Sequence, residues 1–287
     1  MIGRALRHYL LAVQFFTRLP VTGRLAGWVG FSDAALRASA AHFPGVGWLV
    51  GAIAALVWLA TTTLLGGAGV DGAAGGLAPG VAAVAAVFST AATVLVTGAF
   101  HEDGLADVAD GLGGALDRER ALAIMKDSRL GSFGVLALVL ALAAKLSLLT
   151  ALAQRDASAV PAVMLAAHVV SRFAPLLLIR TLDYVEVGTR DAPPKAKPMA
   201  SAIDDRALVA AGLWTLPALI WLAVVIGVPA LACAIVVVAL LTTALGRWFR
   251  RRLGGFTGDC LGATQQGVEL LVYLCACAAA KNLSPVL

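Results

Sequence analysis

Phe100-His101-Glu102-Asp103-Gly104-Leu105-Ala106-Asp107-Val108-Ala109-Asp110-Gly111 opens a segment that closes on Ile124-Met125-Lys126-Asp127-Ser128-Arg129-Leu130-Gly131. Of the 17 Asp and Glu residues in the chain, seven fall here: Glu102, Asp103, Asp107, Asp110, Asp117, Glu119 and Asp127. On both sides lie long runs of Ala, Leu, Val and Gly. If 100–110 is helical, Asp107 and Asp110 follow Asp103 by four and seven residues. At ~100° per residue the three carboxylates fall within about 60° of one another on one face. Three like charges that close raise one another's pKa unless a cation sits among them. Carboxylates are hard oxygen ligands, and Mg²⁺ is the expected ion. The plainer alternative is a solvated acidic helix start. The Gly111-Leu112-Gly113-Gly114 run and the apolar surroundings argue against it.

Outward from this segment, composition sets the fold class. The 287 residues are 60% hydrophobic and 14% charged, with a mean hydropathy of +0.88. A soluble domain carries roughly 25% charged residues. An all-α, polytopic membrane helical bundle is expected, forming one membrane-embedded catalytic domain over 1–287. Cys233, Cys260, Cys275 and Cys277 show neither a disulfide framework nor zinc spacing. Arg4 and Arg7 precede no h-region with a cleavage site, so no removable signal peptide is expected. The net charge of +5 reads as membrane topology. Basic residues are not interleaved with aromatics, so no nucleic-acid partner is expected.

Seven spans are expected, at 43–65, 81–100, 132–153, 159–181, 207–227, 229–248 and 264–280. Residues 8–19 are apolar but shorter than the ~20 residues a crossing needs. They read as an interfacial or re-entrant helix ended by Pro20, followed by a basic loop. Lys and Arg concentrate in alternate loops: Arg4, Arg7, Arg18, Arg24 and Arg37; Arg118, Arg120, Lys126 and Arg129; Arg190, Lys195, Lys197 and Arg206; Arg247, Arg250, Arg251 and Arg252. The intervening loops hold at most one each, Arg155 and Lys281 among them. This bias predicts a cytoplasmic N-terminus, an external C-terminus and every charged loop on the cytoplasmic face.

The acidic face, the 124–129 stretch and Gly254-Gly255-Phe256-Thr257-Gly258-Asp259 are therefore expected to face one compartment. Carboxylates for a metal, with cations for phosphate oxygens, are the parts of phosphoryl transfer. The glycines allow close approach of backbone to ligand, although Asp259 could be only an N-cap. Thr264, Gln265, Gln266 and Glu269 carry polarity into the last span. Lys145, His168 and Arg172 lie within spans, where charge marks a site by default. The plainer alternative for Lys145 and Arg172 is a structural pair with a buried carboxylate such as Glu269. Lys126 and Arg129, three apart, would share a helix face and clamp a phosphate. Asp259 would then complete the metal shell or orient the attacking hydroxyl.

These residues also carry a family likeness. Phe16-Thr17-Arg18-Leu19-Pro20, Phe43-Pro44-x-Val46-Gly47, the 101–111 and 124–131 blocks, Ser171-Arg172 and Gly254-Gly255-x-Thr257-Gly258-Asp259-x-Leu261-Gly262-Ala263 together resemble the cobalamin synthase family. Glu102 departs from the pattern, which usually has an apolar residue there. The resemblance implies an Mg²⁺-dependent enzyme of the cell inner membrane with a cytoplasmic active site. It would join adenosylcobinamide-GDP to α-ribazole, or its 5′-phosphate, with release of GMP. Asp103, Asp107, Asp110 and Glu102 are the candidate metal ligands. Asp103, Asp107, Asp110, Asp127 and His101 are the candidate catalytic groups. Lys126, Ser128, Arg129, Lys145, Arg172, Gly258, Asp259 and Gln266 are the candidate substrate contacts. Membrane lipid is an expected partner, and a homo-oligomer is compatible with the sequence. A CDP-alcohol-type or prenyl-diphosphate-type phosphotransferase is the alternative enzyme, suggested by Asp107-x-x-Asp110-Gly111. An anion transporter using Lys145 and Arg172 is the alternative of another class.

Overall fold

A computed structural model describes residues 2–66, 76–185 and 203–280. The chain is all-α: α1 (Ile2–Phe16), α2 (Gly23–Val29), α3 (Asp33–Ser39), α4 (Phe43–Leu64), α5 (Pro79–Thr97), α6 (Phe100–Gly114), α7 (Arg118–Lys126), α8 (Ser132–Arg155), α9 (Ala159–Thr181), α10 (Asp205–Ile226), α11 (Val228–Leu253) and α12 (Gly258–Ala280). Among the described residues, β pairing is limited to one isolated bridge between Tyr184 and Phe256. Arg190, Lys195, Lys197 and Lys281, which entered the topology expectation, lie outside the described residues.

Six helices, α4, α5, α8, α9, α10 and α11, are long and apolar enough to cross a membrane. The seventh expected span is α12, a helix of 23 residues. Its buried Thr264, Gln265, Gln266 and Glu269 lower its hydropathy, and it is not among the six. At ~1.5 Å per residue it is nevertheless about 34 Å long, comparable to the ~30 Å hydrocarbon core. It also runs the depth of the bundle. Asp259 lies against α6, while the Cys277 carbonyl accepts from Arg155 at the far end of α8, 3.0 Å away. Large apolar side chains such as Leu136, Leu140, Val224 and Leu240 point outward, as they do in lipid.

Three expectations need correction. The apolar N-terminal helix begins at Ile2 and ends at Phe16, where Thr17 turns its hydroxyl back onto the Val13 carbonyl. The basic loop after Pro20 contains two short helices. Ser32 caps the second by accepting from the Ala35 amide, at 3.1 Å. The sixth span does not stop at Trp248. It continues to Leu253 and carries Arg250, Arg251 and Arg252 on its last turn, where cations suit the helix dipole.

Two glycine seams bring the inner helices together. A Cβ on Gly47 of α4 would stand 2.4 Å from the His168 carbonyl oxygen of α9. One turn on, a Cβ on Gly51 would stand 2.9 Å from the Leu165 Cα. Small residues at this spacing let membrane helices meet backbone to backbone. At the second seam, α6 and α12 cross where Gly104 and Gly262 face each other. A Cβ on Gly104 would lie 2.9 Å from the Asp259 carbonyl oxygen.

The ends rich in Lys and Arg do converge. Arg252 donates to the Leu112 and Ala115 carbonyls at the end of α6. Arg118, at the start of α7, donates to the Leu253 carbonyl at 2.7 Å. Arg250 reaches the Thr181 carbonyl at 2.8 Å, and Arg180 pairs with Asp205 at 3.1 Å. The ends of α6, α9 and α11 and the starts of α7 and α10 therefore form one polar end of the bundle.

Candidate active site

The site is built where α6 begins. The chain leaves α5 through Gly98 and Ala99, both left-handed at φ 67° and 59°. This turn aims the first two turns of α6 at the start of α12. Asp103 is exposed and Asp107 half-buried. Across the Gly104–Gly262 crossing stands Asp259, close enough for its charge to act on both. Burial, then the charges of Asp259, Asp103 and Asp110, push the Asp107 carboxyl up to about 7. Burial and the Asp103 charge push Asp259 up to about 6, against a lowering hydrogen bond from Thr257. Carboxylates in this state favour a bound cation, and an all-oxygen donor set suits Mg²⁺. Among the described residues, no three His, Cys, Asp or Glu groups are already drawn to one point. The fit to Mg²⁺ rests on proximity and charge.

Asp110 shares the azimuth of Asp103 and Asp107 but has a different neighbour. Its Oδ2 accepts from the Gly131 amide at 2.7 Å and its Oδ1 from the Gly134 amide at 2.8 Å. It therefore caps α8 from another helix. A Cβ at Gly131 or Gly134 would stand 2.4 or 2.3 Å from those oxygens, so a side chain at either would push the carboxylate off its amides. Seven residues also separate Asp103 from Asp110, about 10 Å of helix rise. That is long for one ion with ~2.1 Å bonds.

Glu102 lies ~100° around α6 from Asp103, away from the Asp103 and Asp107 face. Its Oε1 accepts from Gln266 at 3.1 Å, and its Oε2 is buried without a partner. Gln266 also donates to the Gln265 Oε1 at 2.9 Å, and Gln265 donates to Glu269 at 2.8 Å. Glu269 is the hub of the bundle's polar centre. Lys145 pairs with it at 2.6 Å, His168 Nδ1 lies 3.5 Å away, and the Tyr273 hydroxyl donates to it at 3.3 Å. Lys145 is thus committed to a buried carboxylate, which removes its motive as an anion carrier. Arg172 donates to the His168 carbonyl at 2.9 Å and keeps its Nε unpartnered. His101 is buried and stacks on Phe16 at 5.7 Å and 5°. Burial holds its imidazole well below its ordinary pKa.

The 124–131 block departs from the expected helix. α7 ends at Lys126, so Lys126 and Arg129 do not share a helical face. Asp127 explains the break, because its carboxylate accepts from the Arg129 amide at 3.0 Å, a local bond that competes with the helix. The Arg129 fork lies on the same carboxylate, with Nε 3.0 Å from both oxygens. Lys126, Ser128 and Arg129 are all exposed at the polar end.

Sequence reasoning missed a cavity of about 310 Å³ beneath the acidic residues. Phe15, Phe16, Phe43 and Phe100 line it, with His101 and Arg172. Asp103, Gly258, Asp259 and Gly262 are on its wall as well. Phe16 and Phe43 meet edge to face at 4.4 Å, and Phe15 and Phe100 at 5.4 Å. The signal was present in the Phe16 and Phe43 motifs, which had no stated role.

Apolar helices enclosing a buried polar centre, with carboxylates gathered at its polar end, define an integral membrane protein with a site suited to phosphate chemistry. The chain belongs to the cobalamin-5-phosphate synthase family, whose model matches residues 8–277. It is 51% identical to an adenosylcobinamide-GDP ribazoletransferase of Polaromonas sp. (strain JS666 / ATCC BAA-500), over 95% of this chain and 97% of that one. It is 49% identical to the enzyme of that name from Albidiferax ferrireducens, over 95% and 98%. It is 39% identical to the one from Vibrio cholerae, over 93% and 91%. The family is one of transferases of cobalamin biosynthesis. No solved structure matches the chain.

Proposed function

We propose that this chain is an Mg²⁺-dependent transferase. It joins adenosylcobinamide-GDP to α-ribazole, or its 5′-phosphate, to give adenosylcobalamin, or its 5′-phosphate, and GMP. The observation that carries this is the gathering of Asp103, Asp107 and Asp259 around the α6–α12 crossing, in a chain with full-length relatives of that name. These three carboxylates are the residues that would hold Mg²⁺. Bound there, the ion would neutralise charge on the diphosphate oxygens.

The ribose 3′-hydroxyl of the nucleoside forms the new O–P bond at the cobinamide-side phosphorus. The bond from that phosphorus to the bridging oxygen breaks, and GMP leaves with that oxygen. The hydroxyl proton passes to solvent, so one proton is released with each GMP. Asp259 orients the hydroxyl from the start of α12. Lys126, Ser128 and Arg129 take the guanylate phosphate, with the Arg129 fork exchanging Asp127 for phosphate oxygens. Beneath, Asp110 holds α6 to α8 and the Gln266–Glu102 contact holds α6 to α12. The Lys and Arg bias supports a cytoplasmic orientation for this end of the bundle, and the reading takes the membrane to be the bacterial inner membrane.

The test is product analysis with the purified chain in lipid nanodiscs. GMP and the cobalamin product should form in equal amounts, and only when adenosylcobinamide-GDP, ribazole and Mg²⁺ are all present. GMP formed without ribazole, or no product with all three, would overturn the proposal.

A further inference from the structure

The cavity beneath the carboxylates is aromatic along one side, with Tyr184 and Gln265 among its polar lining. Phe15, Phe16, Phe43 and Phe100 supply ring faces and edges, and His101 lies flat on Phe16. Its volume of about 310 Å³ is at the small end of small-molecule pockets, ~300–1,000 Å³. A flat two-ring base fits that volume, whereas a corrin macrocycle does not. Arg172 also lines it, 3% exposed. Asp103 and Asp259 line the same cavity. A base held inside therefore presents its sugar to the carboxylates.

Apart from the adenine, which is carried on the corrin's cobalt, two bases in the reaction could enter. Guanine carries donors and an acceptor along one edge and would need both kinds of partner. The benzimidazole of ribazole is apolar apart from one ring nitrogen with a free lone pair, and it carries two methyl groups. The four phenylalanine walls match the second. We propose that this cavity is the subsite for the benzimidazole base of the acceptor nucleoside, with Arg172 donating to its ring nitrogen. The proposal rests on the transferase function above. It places the guanine outside the cavity, on the 126–129 side. It also gives the aromatic N-terminal helix a function, because α1 supplies Phe15 and Phe16.

The test uses the intact chain in nanodiscs. Phe100 is 39% exposed, and the unfolding midpoint of Phe100→Ala checks that the fold is kept. The variant should raise the ribazole KM about tenfold, or about 1.4 kcal/mol, with the adenosylcobinamide-GDP KM within about twofold of wild type. Phe100→Tyr, which keeps the ring, should restore the ribazole KM. Independently of any variant, calorimetry in EDTA should show ribazole binding to the wild-type chain without competition from GMP. A ribosylindole, lacking the acceptor nitrogen, should bind about tenfold more weakly. Three results would each overturn the subsite: competition by GMP, no ribazole binding, or a Phe100→Ala effect confined to the adenosylcobinamide-GDP KM. Equal binding of the indole would remove the Arg172 contact. A wild-type chain that binds ribazole but releases no GMP would reject the transferase function and leave the subsite standing.

Discussion

Asp103 and Asp110 look alike in the sequence and should respond differently to the same substitution. Asp110→Asn retains one acceptor for the two amides at the start of α8 and turns an NH₂ group toward the other. A hydrogen bond to a charged group contributes about 1.5–3 kcal/mol, and a buried donor left facing a donor costs about 1–3 kcal/mol. The expected loss of stability is about 3–5 kcal/mol. At about 2–4 °C per kcal/mol for a chain of this size, the unfolding midpoint should fall by roughly 10 °C. Asp103 is exposed, so Asp103→Asn should change stability by no more than about 0.5 kcal/mol. Thermal unfolding followed with a thiol-reactive dye suits the chain, because Cys260 and Cys277 are buried and free. The reasoning is refuted if Asp110→Asn keeps the wild-type midpoint yet loses turnover as Asp103→Asn does. Asp110 would then be a metal ligand, not a cap.

Other outcomes follow from the same geometry. Glu269→Gln leaves the buried Lys145 ammonium without its counter-charge and should cost about 3–5 kcal/mol, whereas Lys145→Met with Glu269→Leu should be more stable than either single variant; a double variant no better than the singles would remove the ion pair from the explanation. Asp107 and Asp259 have folded-state pKa values near 7 and 6, above the ~3.9 of an unfolded Asp, so the metal-free folded chain binds more protons than the unfolded one between about pH 4 and 7. Its stability should fall as pH rises through that window, and Mg²⁺ should raise the midpoint more at pH 7.5 than at pH 5, which melting curves with and without EDTA would check. Arg129→Lys keeps a cation for lipid headgroups but cannot grip two phosphate oxygens, so it should insert normally and turn over at least about tenfold more slowly; wild-type turnover would remove Arg129 from the phosphate site.

The sequence carried the architecture because each apolar run is a helix and the loop charges alternate. It also carried α6, whose Asp spacing holds from Phe100 to Gly114. Other features were less legible. Azimuth on one helix says nothing about height or about the neighbour. Asp110 therefore looked like a ligand until Gly131 and Gly134 brought the α8 amides to it. Lys126 and Arg129 looked paired because a helix was assumed through Asp127, whose side chain competes for the backbone. Pairing of Lys145 with Glu269 was already the plainer alternative in the sequence, and the structure shows it; which of the two readings held depended on α8 and α12 meeting, a long-range fact. The aromatic cavity is likewise assembled from α1, α4, α6, α9 and α12.

The most direct test is the rate of GMP release against Mg²⁺ concentration for the wild type and for Asp103→Asn, Asp107→Asn and Asp259→Asn. If these three carboxylates hold the ion, each variant should lose at least about 10²-fold in rate at limiting Mg²⁺ while unfolding in EDTA at a midpoint no lower than the wild type's. Rates near wild type in all three at limiting Mg²⁺ would contradict a cation site at the α6–α12 crossing.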